Sequence, residues 1–118
     1  MVRQRQAAVA LVALAGCGLS LTACGSGPSS QATQPTCQSV AAVLSNGPDP
    51  DADPVGYAEA QVIPLRQIHT SEPALQSAID NLSSAYERFY ETKGSVASEK
   101  AVTAASAQVN SICPGATS

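Results

Sequence analysis

Apolar residues recur at steps of three and four along residues 72–93, which is the spacing of one face of an α-helix. The stripe consists of Leu75, Ala78, Ile79, Leu82, Tyr86, Phe89 and Tyr90. Thr70 or Ser71 is expected to cap this helix at its start, and Pro73 is tolerated in the first turn. Gly94 follows the last apolar residue and predicts the C-terminal stop.

Two further helices are predicted from the same spacing and from their end signals. The first covers Val96–Ile112, with Ser95 as its N-cap and a stop at Pro114. Its apolar stripe is built from mostly small side chains: Val102, Ala105, Val109 and Ile112. The second is short, spans residues 37–45, and ends where Asn46 and Gly47 favour a turn.

A fourth helix is expected to open with Asp53 as N-cap and Pro54 at the first helical position. Its inner stripe is Val55, Ala58, Val62, Leu65 and Ile68. Pro64 lies inside this pattern, has no backbone N–H and disfavours helix at the residue before it. We therefore expect a kink or a break at Pro64.

Four helices with short connections favour an all-α fold, a small up-down-up-down four-helix bundle. In such a bundle the start of the first helix and the end of the last lie at the same end. Cys37 and Cys113 occupy those two places. If the domain is exported, the two cysteines are expected to form a disulfide that closes it. Free thiols or an intermolecular bridge are the alternatives.

The N-terminal region has the parts of a secretory signal, because a basic start with Arg3 and Arg5 precedes an apolar stretch over residues 7–23. That stretch ends in Leu21-Thr22-Ala23-Cys24. The pattern resembles the lipobox of bacterial lipoprotein precursors, and with the short cysteine-bounded domain it looks like the small lipoproteins of actinobacteria. The resemblance implies cleavage before Cys24, diacylglycerol on the Cys24 sulfur, and fatty acid (palmitate) on the new amino terminus.

Alternatives to lipidation at Cys24 remain open at this stage. Cys17 ends a second stretch of the same pattern, Leu14-Ala15-Gly16-Cys17. Cleavage there would leave an apolar start for the mature chain, whereas cleavage before Cys24 leaves a polar, flexible one. An ordinary cleaved signal is another alternative. A retained membrane helix is the last, although the stretch is short against the roughly 20 apolar residues that span a bilayer.

The chain is therefore divided into four segments. Residues 1–23 are the predicted lipoprotein signal peptide, and residues 24–35 are the lipidated cysteine with a flexible tether. Residues 36–114 form the helical domain, and residues 115–118 form a disordered tail. Once the signal peptide and the tether are subtracted, a chain of 118 residues leaves room for one small domain.

The distribution of charge argues against nucleic acid as a partner and against electrostatic attachment to anionic lipid. The formal net charge is −3, and the cations beyond the signal are scattered: Arg66, Arg88, Lys93 and Lys100. The sequence has no cluster of basic residues of the kind that binds nucleic acid. No polybasic stretch is present to hold anionic lipid, so membrane attachment is expected to come from the lipid anchor.

Candidate chemistry in the domain is sparse. His69 is the single histidine, with no cysteine or second histidine beside it to complete a zinc site. Asp49, Asp51 and Asp53 alternate like the start of a calcium loop, but Pro54 replaces the required glycine and Ala60 the twelfth-position glutamate. These carboxylates are interpreted as a solvated connector. No catalytic residue, metal or cofactor is therefore predicted.

Aromatic side chains offer a possible binding site. Tyr57, Tyr86, Phe89 and Tyr90 could line a small pocket near Pro64, although ordinary core packing is the favoured explanation of their spacing.

The favoured functional hypothesis is a non-enzymatic, lipid-anchored helical module on the extracytoplasmic face of the cell membrane. It would bind an unknown envelope protein or small ligand. The alternative is an exported enzyme or enzyme accessory that uses His69 with nearby carboxylates. A structural role in the envelope is a third possibility.

Overall fold

The computed structural model describes residues 30–118, which contain four α-helices and no strand. The helices are α1 (Ser30–Leu44), α2 (Pro54–Arg66), α3 (Pro73–Glu91) and α4 (Val96–Ile112). The predicted all-α class and the number of helices are confirmed. The predicted signal peptide, Cys17 and Cys24 lie outside the described residues.

Helix α3 is the central element, because it packs along both α2 and α4. Tyr57 near the start of α2 meets Tyr86 near the end of α3, with ring centroids 5.9 Å apart. Asn81 in the middle of α3 donates a hydrogen bond of 3.2 Å to Gln108 near the end of α4. Helices α2 and α3 therefore run antiparallel, and so do α3 and α4, because the hydroxyl oxygens of Thr92, directly after α3, and Ser98, in the first turn of α4, lie 2.9 Å apart.

The core follows the apolar stripe of α3, whose first five members are buried and whose last two, Phe89 and Tyr90, are half-buried. Leu65 of α2 and Val109 of α4 face this stripe from either side and are fully buried. Val40 supplies the fully buried contribution of α1. The largest fully buried aliphatic side chains are Val40, Leu65, Leu75, Ile79, Leu82 and Val109.

A disulfide joins Cys37 of α1 to Cys113, directly after α4, with the two Cα atoms 5.4 Å apart. The predicted pairing and the closure of the domain are confirmed. Helix α1 contacts α2 much less extensively than α3 does. The disulfide is therefore a major attachment of α1 to the rest of the domain.

Helix α1 begins at Ser30, seven residues before the predicted start and within the segment expected to be a flexible tether. Pro35 lies inside the helix, where proline removes one backbone hydrogen bond. The added turns have packing to support them, since Thr33 is buried. The Ser39 hydroxyl also donates to the Pro35 carbonyl at 3.1 Å.

Helix α2 opens as predicted but ends earlier than its stripe suggests. The Asp53 carboxylate accepts a hydrogen bond from the Gly56 N–H at 2.9 Å, and Pro54 is the first helical residue. The helix continues through Pro64 and stops at Arg66, so Ile68 lies outside it. Pro64 removes the backbone hydrogen bond to the Ala60 carbonyl, and only two helical residues follow it.

Both ends of α3 differ in detail from the prediction. Glu72, not Thr70 or Ser71, occupies the N-cap position, and its side chain makes no capping bond. At the other end Lys93 adopts the left-handed conformation with φ 55°, and Gly94 follows with φ 78°. The Gly94 N–H bonds to the Phe89 carbonyl at 2.9 Å, which closes the helix with a Schellman motif.

Helix α4 has its predicted bounds, and the Ser95 hydroxyl accepts a hydrogen bond from the Ser98 N–H at 3.3 Å. The residues after α4 are not a disordered tail in this structure. They form a turn in which Ala116 is buried and the Thr117 N–H bonds to the Asn110 side chain at 3.2 Å. Burial of Ala116 gives the tail an apolar attachment that its small, polar composition does not indicate.

Candidate functional site

One concave feature is a groove where α2, α3 and α4 meet the connector between α1 and α2. We call it the aromatic groove, and its volume is about 220 Å³. Its lining combines prolines of the connector with aromatic side chains and one carboxylate: Pro50, Pro54, Tyr57, Tyr86, Phe89, Glu99, Val102 and Thr103.

A second cavity of about 150 Å³ adjoins the aromatic groove. The two share Pro50, Tyr57 and Tyr86. The remaining walls come from the end of α1 and from the C-terminal turn: Leu44, Ser45, Ala116, Thr117 and Ser118. The ordered C-terminal residues thus form part of the molecule's concave surface.

Tyr57 and Tyr86 form the floor that both cavities share. Their rings pack edge to face at an interplanar angle of 78°. The Tyr57 hydroxyl donates a hydrogen bond of 2.6 Å to the Leu44 carbonyl, which ties α2 to the end of α1.

Burial alters the acidity of both tyrosines. Burial raises the pKa of Tyr86 well above its usual value, and the neighbouring Tyr57 raises it further, since two phenolates would repel each other. Burial also raises the pKa of Tyr57. Both hydroxyls are therefore neutral at physiological pH, and the floor of the groove carries no charge.

The acidic connector positions the two prolines of the groove. The Asp53 N–H bonds to the Asp49 carbonyl at 2.8 Å, and the Asp49 carboxylate accepts from the Asp51 N–H at 2.9 Å. Asp53 caps α2, as described above. Two of the three carboxylates thus hold a turn and a helix start, and within residues 30–118 no group of three metal-ligating side chains assembles.

Glu99 places a negative charge directly on the groove. It lies in the first turn of α4, lines the aromatic groove and is exposed. Among the described residues its carboxylate forms no salt bridge. The groove therefore has an aromatic floor and an acidic edge.

Tyr90, the fourth aromatic residue of the predicted pocket, faces a different cleft between α2 and α3. This α2–α3 cleft has a volume of about 250 Å³ and is lined by Glu59, Val62, Ile63, Arg66, Glu87, Tyr90 and Glu91. Arg66 and Glu87 form a salt bridge of 2.6 Å within it. The Lys93 Nζ atom lies 4.6 Å from the centre of the Tyr90 ring. The predicted pocket exists for three of its four residues, at the connector and not at Pro64.

His69 is exposed in the connection between α2 and α3, and it lines neither the aromatic groove nor the α2–α3 cleft. The proposed acid–base role of His69 therefore gains no support from its position. The Asp80 carboxylate accepts a hydrogen bond from the Gln76 side chain at 3.0 Å.

Sequence reasoning missed Gln61, which is 1% exposed at the centre of α2. Its Nε2 donates to the Asn46 carbonyl at 2.6 Å, while its side-chain oxygen has no hydrogen-bond partner. The role of Pro50, Pro54 and Glu99 as groove residues was missed as well. The only signal for a possible site in the sequence was the small set of aromatic residues, which included Tyr57, Tyr86 and Phe89.

Comparison of the chain with protein-family models, with curated proteins and with solved structures finds no match. Within the described residues, no helix combines the length and apolarity needed to cross a membrane.

Proposed function

We propose that this chain is a lipid-anchored interaction module on the extracytoplasmic face of a bacterial cell membrane. The anchor is diacylglycerol on Cys24, and the helical domain binds a partner outside the membrane. The proposal combines the lipobox-like sequence at Cys24 with the fold of the domain that follows it.

The disulfide between Cys37 and Cys113 is the observation that carries the proposed location. Structural disulfides persist in exported proteins and are rare where cytosolic thiol systems keep cysteines reduced. Export therefore accounts for both features at once, since the signal delivers the chain to a compartment in which the disulfide is stable.

The aromatic groove supports the proposed interaction role. Its concave surface combines apolar side chains with a few polar groups, which is the composition of a binding site.

Lipid labelling in a bacterial host tests the anchor. Cells that express the full chain are grown with an alkyne-tagged palmitate, and the protein is followed by label and by membrane fractionation. We expect the wild-type protein to carry label and to sediment with membranes. Cys24→Ser is expected to lose both.

Cys17→Ser is the matched control, because it changes the competing cysteine and leaves the Cys24 pattern intact. It is expected to keep the label and the membrane location. Loss of label in Cys17→Ser with full label in Cys24→Ser would move the anchor to Cys17. An unlabelled wild-type chain would contradict the proposal.

A further inference from the structure

We propose that the aromatic groove binds a lysine or arginine side chain that a partner polypeptide presents beside apolar residues. The inference deepens the proposed interaction role and rests on it. It is argued from the size of the groove, the chemistry of its lining and the distribution of charge.

The size of the groove favours one inserted side chain over a free small molecule. Typical small-molecule sites measure roughly 300–1,000 Å³, whereas the groove measures about 220 Å³. A single long side chain needs less room than such ligands. The partner backbone would then lie over the groove, against the half-buried Val102 and Phe89.

The lining matches a cation on an apolar stem. The faces of Tyr and Phe rings attract ammonium and guanidinium groups, and Tyr57, Tyr86 and Phe89 supply three rings. Glu99 provides a carboxylate for a charge-assisted hydrogen bond, and Thr103 provides a hydroxyl beside it. Pro54 and Val102 can pack against the methylene stem.

Charge complementarity points to the same ligand. All nine carboxylates of the chain lie in residues 49–99, against four cations after residue 30. Asp49, Asp51 and Asp53 flank the two lining prolines along the chain and are exposed. Together with Glu99 they give the groove an acidic border, which favours encounter with a basic segment.

In the α2–α3 cleft, a carboxylate and an aromatic ring are already paired with cations of the chain itself. There Arg66 pairs with Glu87, and Lys93 lies over the Tyr90 ring. No lysine or arginine lines the aromatic groove. The groove therefore offers a carboxylate and aromatic faces that the described residues leave without a cation.

Nuclear magnetic resonance provides the test. The ¹⁵N-labelled mature protein, purified in neutral detergent micelles, is titrated with the peptide acetyl-Val-Lys-Val-amide and its arginine counterpart. The control peptide carries norleucine in place of lysine, which keeps the stem and removes the charge. We expect saturable amide shifts at Tyr57, Phe89 and Val102 with the basic peptides, and about tenfold weaker binding of the norleucine peptide.

Two pairs of variants separate groove binding from general attraction to an acidic protein. Glu99→Gln is expected to weaken binding of the lysine peptide about fivefold, whereas Glu59→Gln, an exposed glutamate of the α2–α3 cleft, leaves it unchanged. Phe89→Leu is expected to weaken binding by a similar factor, and Tyr90→Leu to leave it unchanged. The amide spectrum of each variant verifies that it is folded.

Equal binding of the norleucine and lysine peptides would overturn the inference, and so would shifts confined to the α2–α3 cleft or no saturable shift at millimolar peptide. If Glu99→Gln and Glu59→Gln weaken binding of the lysine peptide equally, net charge explains the binding, and this result would also overturn the inference. Failure here is distinct from failure of the anchor, because palmitate labelling is measured in cells and does not depend on peptide binding.

Discussion

At the scale of single residues, burial of the Tyr86 phenol makes the free energy of unfolding depend on pH. Its pKa is raised from the ordinary value of 10.0 in the folded protein, so the unfolded chain loses the phenol proton first. The stabilising contribution is present in full below pH 10 and is lost as the pH rises through the folded pKa. We expect the free energy of unfolding to fall above pH 10, and to fall less steeply in Tyr86→Phe.

Urea unfolding at a series of alkaline pH values measures this difference, and the ultraviolet absorbance of phenolate follows the titration directly. Tyr86→Phe should remove the part of the absorbance change that comes last. Equal pH dependence in the two proteins would show that Tyr86 is not buried as described.

Gly94 is a second residue whose identity the backbone requires. Its φ of 78° is one that residues with a Cβ rarely adopt, and an added Cβ would lie 3.3 Å from the Phe89 ring. We expect Gly94→Ala to lower the free energy of unfolding by about 2 kcal/mol. Thermal or urea unfolding measures the change.

Gly115→Ala is the matched control for Gly94→Ala. Gly115 has a similar φ of 80°, but an added Cβ would meet only Ser118 Oγ at 3.7 Å. Gly115→Ala introduces the backbone strain without the crowding, so we expect it to lower the free energy of unfolding by only about 1 kcal/mol. A larger cost at Gly115 than at Gly94 would contradict the described end of α3.

At the scale of helices, the three N-caps of α2, α3 and α4 make different contributions. Asp53 and Ser95 accept hydrogen bonds from backbone N–H groups, whereas Glu72 makes no capping bond with its side chain. We expect Asp53→Ala and Ser95→Ala each to cost about 1 kcal/mol in the free energy of unfolding. Glu72→Ala is the control and is expected to cost less, and the reverse order would contradict these caps.

The helix ends show how far the helices could be predicted from the sequence. The bounds of α4 and the start of α2 followed from local signals, a cap residue and a proline at the first helical position. The start of α1 did not, because Pro35 and the polar residues around it indicate a linker while burial of Thr33 is a tertiary effect. The end of α2 was misjudged because Ile68 continues the apolar spacing after the backbone has left the helix.

Prediction of the groove from the sequence was limited for a similar reason. Helical spacing placed Tyr86, Phe89 and Tyr90 in one apolar stripe, and Tyr57 was grouped with them as an aromatic residue, but the spacing could not say which cavity each would line. That depends on the path of the connector, which brings Pro50 against Tyr57 and leaves Tyr90 on the side of Arg66. The role of Glu99 depends on the same assembly, since nothing local distinguishes it from another exposed glutamate.

At the scale of the whole molecule, the disulfide between Cys37 and Cys113 closes nearly the entire domain, across a sequence separation of 76 residues. By loop entropy, a cross-link of this span stabilises the folded state by about 4 kcal/mol. We expect Cys37→Ala with Cys113→Ala to lower the free energy of unfolding by about that amount. Because α1 contacts α2 sparsely, its amide protons are expected to lose protection first.

Hydrogen exchange followed by mass spectrometry measures the protection of each helix, with the oxidised wild-type protein as reference. Uniform loss of protection in all four helices would show that α1 is integrated more tightly than its contacts indicate. Unchanged stability of the double variant would contradict the role given to the disulfide.

Intact mass spectrometry of the mature protein from bacterial membranes tests whether the exported chain is anchored at Cys24 and closed by its own disulfide. We expect a chain that begins at Cys24 and carries diacylglycerol and fatty acid. Its mass should rise on reduction by the two hydrogens of the disulfide between Cys37 and Cys113. A chain that retains residues 1–23 or carries no lipid would contradict the anchor at Cys24, and an unchanged mass on reduction would contradict the disulfide.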